Sequence, residues 1–264
     1  MPSSSAENAW REPTANLTLD ADEVHIWRAS LAQTPERLER LRSTLEPEES
    51  ERAARFHFER DGRRYIAGRG LLRGILSRYL NLPPDSLRFT YTSYGKPYLA
   101  EGCGGGWLRF NISHAGELAL YALSRGRELG VDVEQIRTDI EHTEIASQFF
   151  SRQEVASLLA LPEHLRQEAF FLCWTRKEAY IKGVGEGLSL PLHSFDVSLT
   201  PGEPASLLAV RGDAREAARW TLRALEPGEG YRAALVAEGD GWQLKCWQWD
   251  DFECDVRDAS GSEV

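Results

Sequence analysis

The same succession of patterns occurs twice along these 264 residues: a short strand, then helical periodicity, then a late group of strands. In the first pass Val24–Trp27 reads as a strand. Thr34–Leu45 and Pro47–Phe58 read as helices, with Pro47 in a favourable first turn. Arg63–Leu80 carries Ile66, Leu71, Leu72, Ile75, Leu76 and Tyr79 at near-helical spacing and stops at Pro83-Pro84. Short strands are predicted next at Leu87–Tyr91 and Lys96–Leu99, joined by a turn at Tyr94-Gly95-Lys96-Pro97. After the flexible loop Gly102–Gly106, Leu108–Ser113 and Leu118–Ser124 form a predicted hairpin around His114-Ala115-Gly116. In the second pass Gly130–Glu134 reads as a strand. Ile140–Phe150, Ser151–Ala160 (with the capping box Ser151-x-x-Glu154) and Glu163–Gly183 read as helices. Strands follow at Phe195–Leu199, Trp220–Leu225, Tyr231–Ala237 and Trp242–Trp249. This order implies an α+β fold built from a duplicated unit, although residue-level similarity between the halves is weak. The polar stretch Ser124–Leu129 divides residues 16–126 from residues 127–255, with flexible tails at 1–15 and 256–264.

Composition narrows the function classes. A net charge of −10 argues against general nucleic-acid binding, and no apolar run reaches membrane-spanning length. The first fifteen residues lack the apolar centre of a signal peptide. Cys103, Cys173, Cys246 and Cys254 show no C-x-x-C spacing, which suits free thiols in a reducing cytoplasm. The charge is unevenly spread. Arg52 to Arg88 holds nine Arg and no Lys against three carboxylates, a local charge of +6. That segment reads either as a solvated helix surface or as an anion site for a phosphate-rich small molecule.

Two acidic motifs carry the chemistry. In Gly130-Val131-Asp132-Val133-Glu134 the carboxylates lie two apart on a strand and leave the same face, with the valines on the other. Side by side they repel unless a cation or a proton intervenes, and Mg²⁺ suits such a pair together with phosphate and water. The second motif is Phe170-x3-Trp174-x2-Lys177-Glu178-Ala179-x2-Lys182. On a helix Trp174, Glu178 and Lys182 share one face, and the large ring argues for partial burial rather than a surface ion pair. Asp132, Glu134 and Glu178 are thus candidate metal ligands. Lys177 and Lys182 flank them as candidates to neutralise charge on a phosphate. The set suits chemistry at a phosphoanhydride.

Other patterns carry less. Phe110-Asn111-Ile112-Ser113-His114 contains a Ser-His pair but no nucleophile elbow, and neighbours on a strand point to opposite faces. Hydrogen bonding to a phosphate, or capping, fits Ser113 and His114 better than nucleophilic catalysis. Neither Gly68-Arg69-Gly70 nor the Gly183–Gly187 stretch fits a nucleotide fingerprint.

At these motifs the chain resembles the 4′-phosphopantetheinyl transferases, in their large, surfactin-synthetase-activating form rather than the short trimeric one. The resemblance rests on both acidic motifs, on Tyr94-Gly95-Lys96-Pro97, on Asn111-Ile112-Ser113-His114 and on Gly187-Leu188-Ser189-Leu190-Pro191-Leu192, in collinear order over residues 45 to 200. It implies an α+β pseudo-dimer of two similar halves with coenzyme A in the cleft between them. Asp132, Glu134 and Glu178 would hold Mg²⁺, and Lys182 would touch the pyrophosphate. Arg52, Arg64, Lys96, Ser113 and His114 would hold the nucleotide and its 3′-phosphate. Two positions depart from the family pattern. Glu49 stands where relatives often carry a lysine, and Tyr65 where they often carry a small hydroxyl residue.

The resemblance implies transfer of 4′-phosphopantetheine from coenzyme A to a serine of an apo acyl, peptidyl or polyketide carrier protein, releasing 3′,5′-ADP. Glu178 would take the serine proton, with Lys182 and Asp132 as the other catalytic groups. A soluble cytoplasmic monomer is expected, without nucleic-acid or membrane partners. Phe149, Phe150, Val155 and Leu158 are candidates for carrier docking or for plain core. A metal-dependent nucleotide phosphohydrolase and a non-catalytic coenzyme A- or carrier-binding protein are the alternatives.

Overall fold

The computed structural model describes residues 9–14, 17–103, 106–213 and 215–249, and only the backbone of residue 188. Most of the predicted tails, the middle of the Gly102–Gly106 loop, Cys254 and the last six residues of the second predicted half lie outside these residues. The first half runs β1 (Glu23–Ser30), α1 (Pro35–Arg42), α2 (Pro47–Ala54), α3 (Glu59–Leu80), β2 (Phe89–Tyr91), β3 (Pro97–Leu99), β4 (Leu108–Ala115) and β5 (Leu118–Arg125). The second runs β6 (Leu129–Gln135), α4 (His142–Phe149), α5 (Arg152–Ala160), α6 (Glu163–Val184), β7 (Phe195–Val197), β8 (Leu207–Val210), α7 (Glu216–Arg219), β9 (Trp220–Leu225) and β10 (Tyr231–Glu238). A last strand, β11 (Gln243–Gln248), follows.

The duplication is visible in the pairing. The first half has the sheet order β1-β5-β4 and the second β6-β10-β9, so each places its opening strand beside its last. Each half also holds one 22-residue helix and one two-stranded ribbon in the same sequential place. The predicted α+β pseudo-dimer is therefore the observed fold. The division at residues 127–255 needs one correction. β11 leaves the second half and pairs in parallel with β1, extending the first sheet. His114 is a strand residue, and the hairpin turns at Gly116-Glu117.

Alternation along each strand divides the core into three. Trp27, Phe110 and Tyr121 face α3 with Leu71, Leu72 and Ile75. Val24, Ile26, Leu120 and Ala122 turn the other way and meet Val131, Val133 and Leu235 of the second sheet. Ala234 and Val236 face α6 with Phe170, Tyr180 and Ile181. The order is helix, sheet, sheet, helix, and each fully buried Leu, Ile or Phe contributes about 1.5–3 kcal/mol. Helix ends follow local rules. Ser151 accepts from the Glu154 amide (3.2 Å), and the Glu154 carboxylate accepts from the Ser151 amide (2.9 Å). Gly185, at φ +82°, ends α6 in the left-handed region.

A buried polar chain ties β1 to α3. Trp27 Nε1 donates to Tyr79 Oη (2.8 Å), which lies 2.8 Å from His25 Nδ1, and His25 Nε2 lies 3.0 Å from Glu23. Burial pushes the His25 pKa down from 6.5 to about 4, against the pull of Glu23. Between those values the unfolded chain binds the proton and the folded chain does not, so acid favours unfolding. About 3 kcal/mol of stability, present above the unfolded pKa, is expected to be lost as pH falls through this window. Urea unfolding at pH 7.5 and pH 4 reads it, and a His25→Gln variant should show a shallower loss.

Candidate active site

The cleft lies between the halves and encloses about 510 Å³. α2 supplies Arg52, α3 supplies Arg64, Tyr65 and Arg69, β4 supplies Asn111 and His114, the turn after β2 supplies Tyr94 to Pro97, and α6 supplies Lys182. Three Arg, two Lys and a His line it, with no carboxylate among the described lining residues. In a chain of charge −10 this is a local concentration of cations, several of them paired with carboxylates behind the wall.

The Arg-rich segment divides between this wall and the core. Arg73 is fully buried, and its guanidinium bonds Glu46 and Glu49. Arg69 Nε donates to Glu49 (2.6 Å). Glu49 is thus a buried anchor for two arginines and makes no contact with the cleft. Arg64 reaches the cleft while its Nε donates to Glu117 (3.0 Å). Arg52 lies 5.5 Å above the ring of Tyr65, which also packs against Phe56. Lys96 closes the cleft rather than projecting into it. Its ammonium donates to Glu128 (3.0 Å) and to the carbonyl of Gly183 (3.2 Å), linking the first half to α6. Burial, with Lys182 and Arg64 nearby, lowers the His114 pKa and favours a neutral ring.

Lys182, on the cleft wall, reaches back to the acidic residues through Asp132. Gly130, Asp132 and Glu134 face α6, and Gly130 lets the backbones touch. A Cβ there would stand 2.1 Å from the Ala179 carbonyl and 2.3 Å from the Gly183 amide. This close approach brings Lys182 Nζ to 2.7 Å from Asp132 Oδ1 and 2.9 Å from Ser113 Oγ. Ser113 also donates to Asp132 (2.9 Å) and accepts from the Val133 amide (3.3 Å), while Asn111 Oδ1 accepts from the Val131 amide (2.9 Å). Side chains of β4 therefore satisfy backbone donors of β6 and join the two sheets. The predicted phosphate role did not reveal this use of Ser113. The signal available was its spacing of two from Asn111, which puts both on one strand face.

The carboxylates are electrostatically strained. Burial and then Asp132 push the Glu134 pKa up from 4.5 to about 7, with the Trp174 indole N–H pulling the other way. Burial and then Asp132 also raise Glu178. Asp132 Oδ2 is buried with no hydrogen-bond partner. Among the described residues no three of His, Cys, Asp and Glu stand in metal-ligating positions, and Lys182 holds the other Asp132 oxygen. Hard carboxylate oxygens, one of them buried and unpartnered, fit a hard divalent cation, although the side chains would have to adjust around it.

Lys177 is elsewhere. It is fully buried, pairs with Glu154 (2.8 Å), and donates to the carbonyls of Leu192 (2.8 Å) and Phe195 (2.7 Å). The predicted contact with ligand is corrected: one residue before Glu178 on a helix points about 100° away. Lys177→Ala is expected to destabilise by about 3 kcal/mol, because it strands a buried carboxylate. An unchanged urea midpoint would contradict this placement. The docking candidates divide as well. Phe150 and Leu158 are core, whereas Phe149 is exposed and packs edge-on against Trp174.

Comparison with known proteins agrees with the geometry. The family model described as 4′-phosphopantetheinyl transferase, N-terminal, matches residues 27–125, and that of the 4′-phosphopantetheinyl transferase superfamily matches residues 128–236. The 4′-phosphopantetheinyl transferase HetI of Nostoc sp. is 40% identical over 243 residues, 92% of this chain and 99% of that protein. This chain belongs to the 4′-phosphopantetheinyl transferase superfamily. The 4′-phosphopantetheinyl transferase Sfp of Bacillus subtilis is 37% identical over 61% of this chain and 69% of its own length. An L-aminoadipate-semialdehyde dehydrogenase-phosphopantetheinyl transferase of Xenopus laevis is 30% identical over 60% and 55%. The two family matches fall on the two structural halves, β1 to β5 and β6 to β10, so the superfamily's duplication is the one seen in the sheets.

Proposed function

We propose that this enzyme transfers 4′-phosphopantetheine from coenzyme A to a serine hydroxyl of an apo carrier protein and releases 3′,5′-ADP. The observation that carries this reading is the basic cleft, with no carboxylate among its described lining residues, whose Lys182 bonds Asp132 beside Glu134 and Glu178. A nucleotide with a 3′-phosphate and a pyrophosphate suits the first part, and a breaking anhydride suits the second.

In this mechanism Arg52, Arg64 and His114 bind the nucleotide end. Lys96 positions the wall by holding Glu128 and the end of α6. Asp132, Glu134 and Glu178 would hold Mg²⁺, which would supply positive charge to the breaking phosphoanhydride. Lys182 leaves Asp132 to meet the phosphate of the departing 3′,5′-ADP. The serine oxygen attacks the phosphorus on the pantetheine side, the bond to the nucleotide phosphate breaks, and Glu178 accepts the hydroxyl proton. Burial and Asp132 raise its pKa, which strengthens the carboxylate as a proton acceptor. Exposed Phe149, beside Trp174, offers the carrier an apolar contact next to the acidic residues. Among the described residues no helix is long and apolar enough to cross a membrane. We place the enzyme in the cytoplasm as a monomer, its cleft being formed within one chain.

Release of 3′,5′-ADP should depend strictly on apo carrier, and a carrier whose acceptor serine is replaced by alanine should give none. Coenzyme A cleavage without any carrier would contradict transfer and favour a phosphohydrolase.

A further inference from the structure

A second cavity, about 880 Å³, lies in the second half and shares no lining residue with the cleft. It is walled by α6, by β9 and by the connection from β9 to β10. Arg176 lines it, two residues before Glu178 and so on nearly the opposite side of α6.

Arg176 is only 2% exposed. Its Nη1 donates to the Ser198 carbonyl (2.7 Å) and hydroxyl (3.1 Å). Its Nε is buried with no acceptor. The other buried cations have carboxylates: Arg69 and Arg73 pair with Glu49, Lys96 with Glu128, Lys177 with Glu154. Among the described residues Arg176 alone of the buried cations lacks one. Burial accordingly lowers its pKa, with Cys173 and Glu203 acting the other way. A buried guanidinium is ordinarily matched by an anion, and its Nε edge presents two parallel donors to a carboxylate.

The remaining walls define the anion. Leu172, Leu222, Leu225 and Leu244 supply apolar surface, Arg223 and Arg232 are basic, and four glutamates are acidic, of which Glu168 pairs with Arg232. With four carboxylates against three guanidiniums the walls carry no excess of positive charge, which disfavours phosphate-rich ligands and leaves room for a single negative charge at Arg176. We propose that this cavity binds an aliphatic monocarboxylate, with or without an α-amino group, through Arg176.

The test is calorimetric titration of the full-length protein with hexanoate and with L-leucine. One saturable site is expected for at least one of them, weakened about tenfold or more in Arg176→Gln and unchanged in the cleft variant Arg52→Gln. Arg176→Lys keeps the charge but loses the fork, so it should lose affinity as much while keeping the fold, and it serves if the glutamine variant does not fold. Preference for leucine over hexanoate would assign the site to amino acids, and the reverse to simple acids. Loss of binding in Arg52→Gln with retention in Arg176→Gln would place the carboxylate in the cleft and overturn the proposal. So would the absence of saturable heat with either probe at millimolar concentration.

Discussion

Gly130→Ala is expected to lower kcat/KM about 100-fold and to destabilise the fold by about 1–3 kcal/mol or more. The added carbon would stand 2.1 Å from the Ala179 carbonyl and 2.3 Å from the Gly183 amide, both backbone atoms of α6 that no rotamer change can move. The helix must withdraw by about 1 Å, the scale of misplacement that costs about two orders of magnitude in catalysis. Glu178 and Lys182 ride on that helix, so they leave Asp132 together. Gly106→Ala, where an added carbon meets nothing, should change neither quantity. Steady-state kinetics and urea unfolding on the two variants check both claims. Near-normal turnover in Gly130→Ala would show that the contact between β6 and α6 does not set the site.

Glu178→Gln is expected to act in the opposite sense on stability. Turnover should fall by about 10²–10⁴, because the variant loses the proposed proton acceptor and proposed cation ligand. Thermal stability should stay equal or rise. Burial and Asp132 raise the Glu178 pKa, so at neutral pH its charged form weakens the fold, and a neutral amide relieves that. The contrast with Lys177→Ala, one residue away, is the informative part: that change should lower stability. A Glu178→Gln variant with both activity and melting temperature reduced would mark the carboxylate as structural.

Much of the fold was legible because alternation and helical phase are local signals. The run from Gly130 to Glu134 announces a strand with its carboxylates on one side, and the i, i+4, i+8 stripe of Trp174, Glu178 and Lys182 announces which side of α6 meets them. The same phase argument, applied strictly, removes Lys177 from the site. Glu49 and Arg73 were not legible as partners. Their pairing depends on how α2 packs against α3, and composition shows only an excess of arginine. β11 was legible as a strand, but its place beside β1 was not, since a parallel pairing across more than 200 residues leaves no local trace. The short elements β8 and α7 went unread, having too few residues to show a period.

The most direct test of the proposed transfer is the intact mass of an apo carrier protein after incubation with this enzyme, coenzyme A and Mg²⁺. A gain of one phosphopantetheine is expected, abolished by EDTA and by the triple Asp132/Glu134/Glu178→Ala substitution. Full transfer by the triple variant would contradict the mechanism. No gain on acyl, peptidyl or polyketide carriers would contradict the proposed transfer itself.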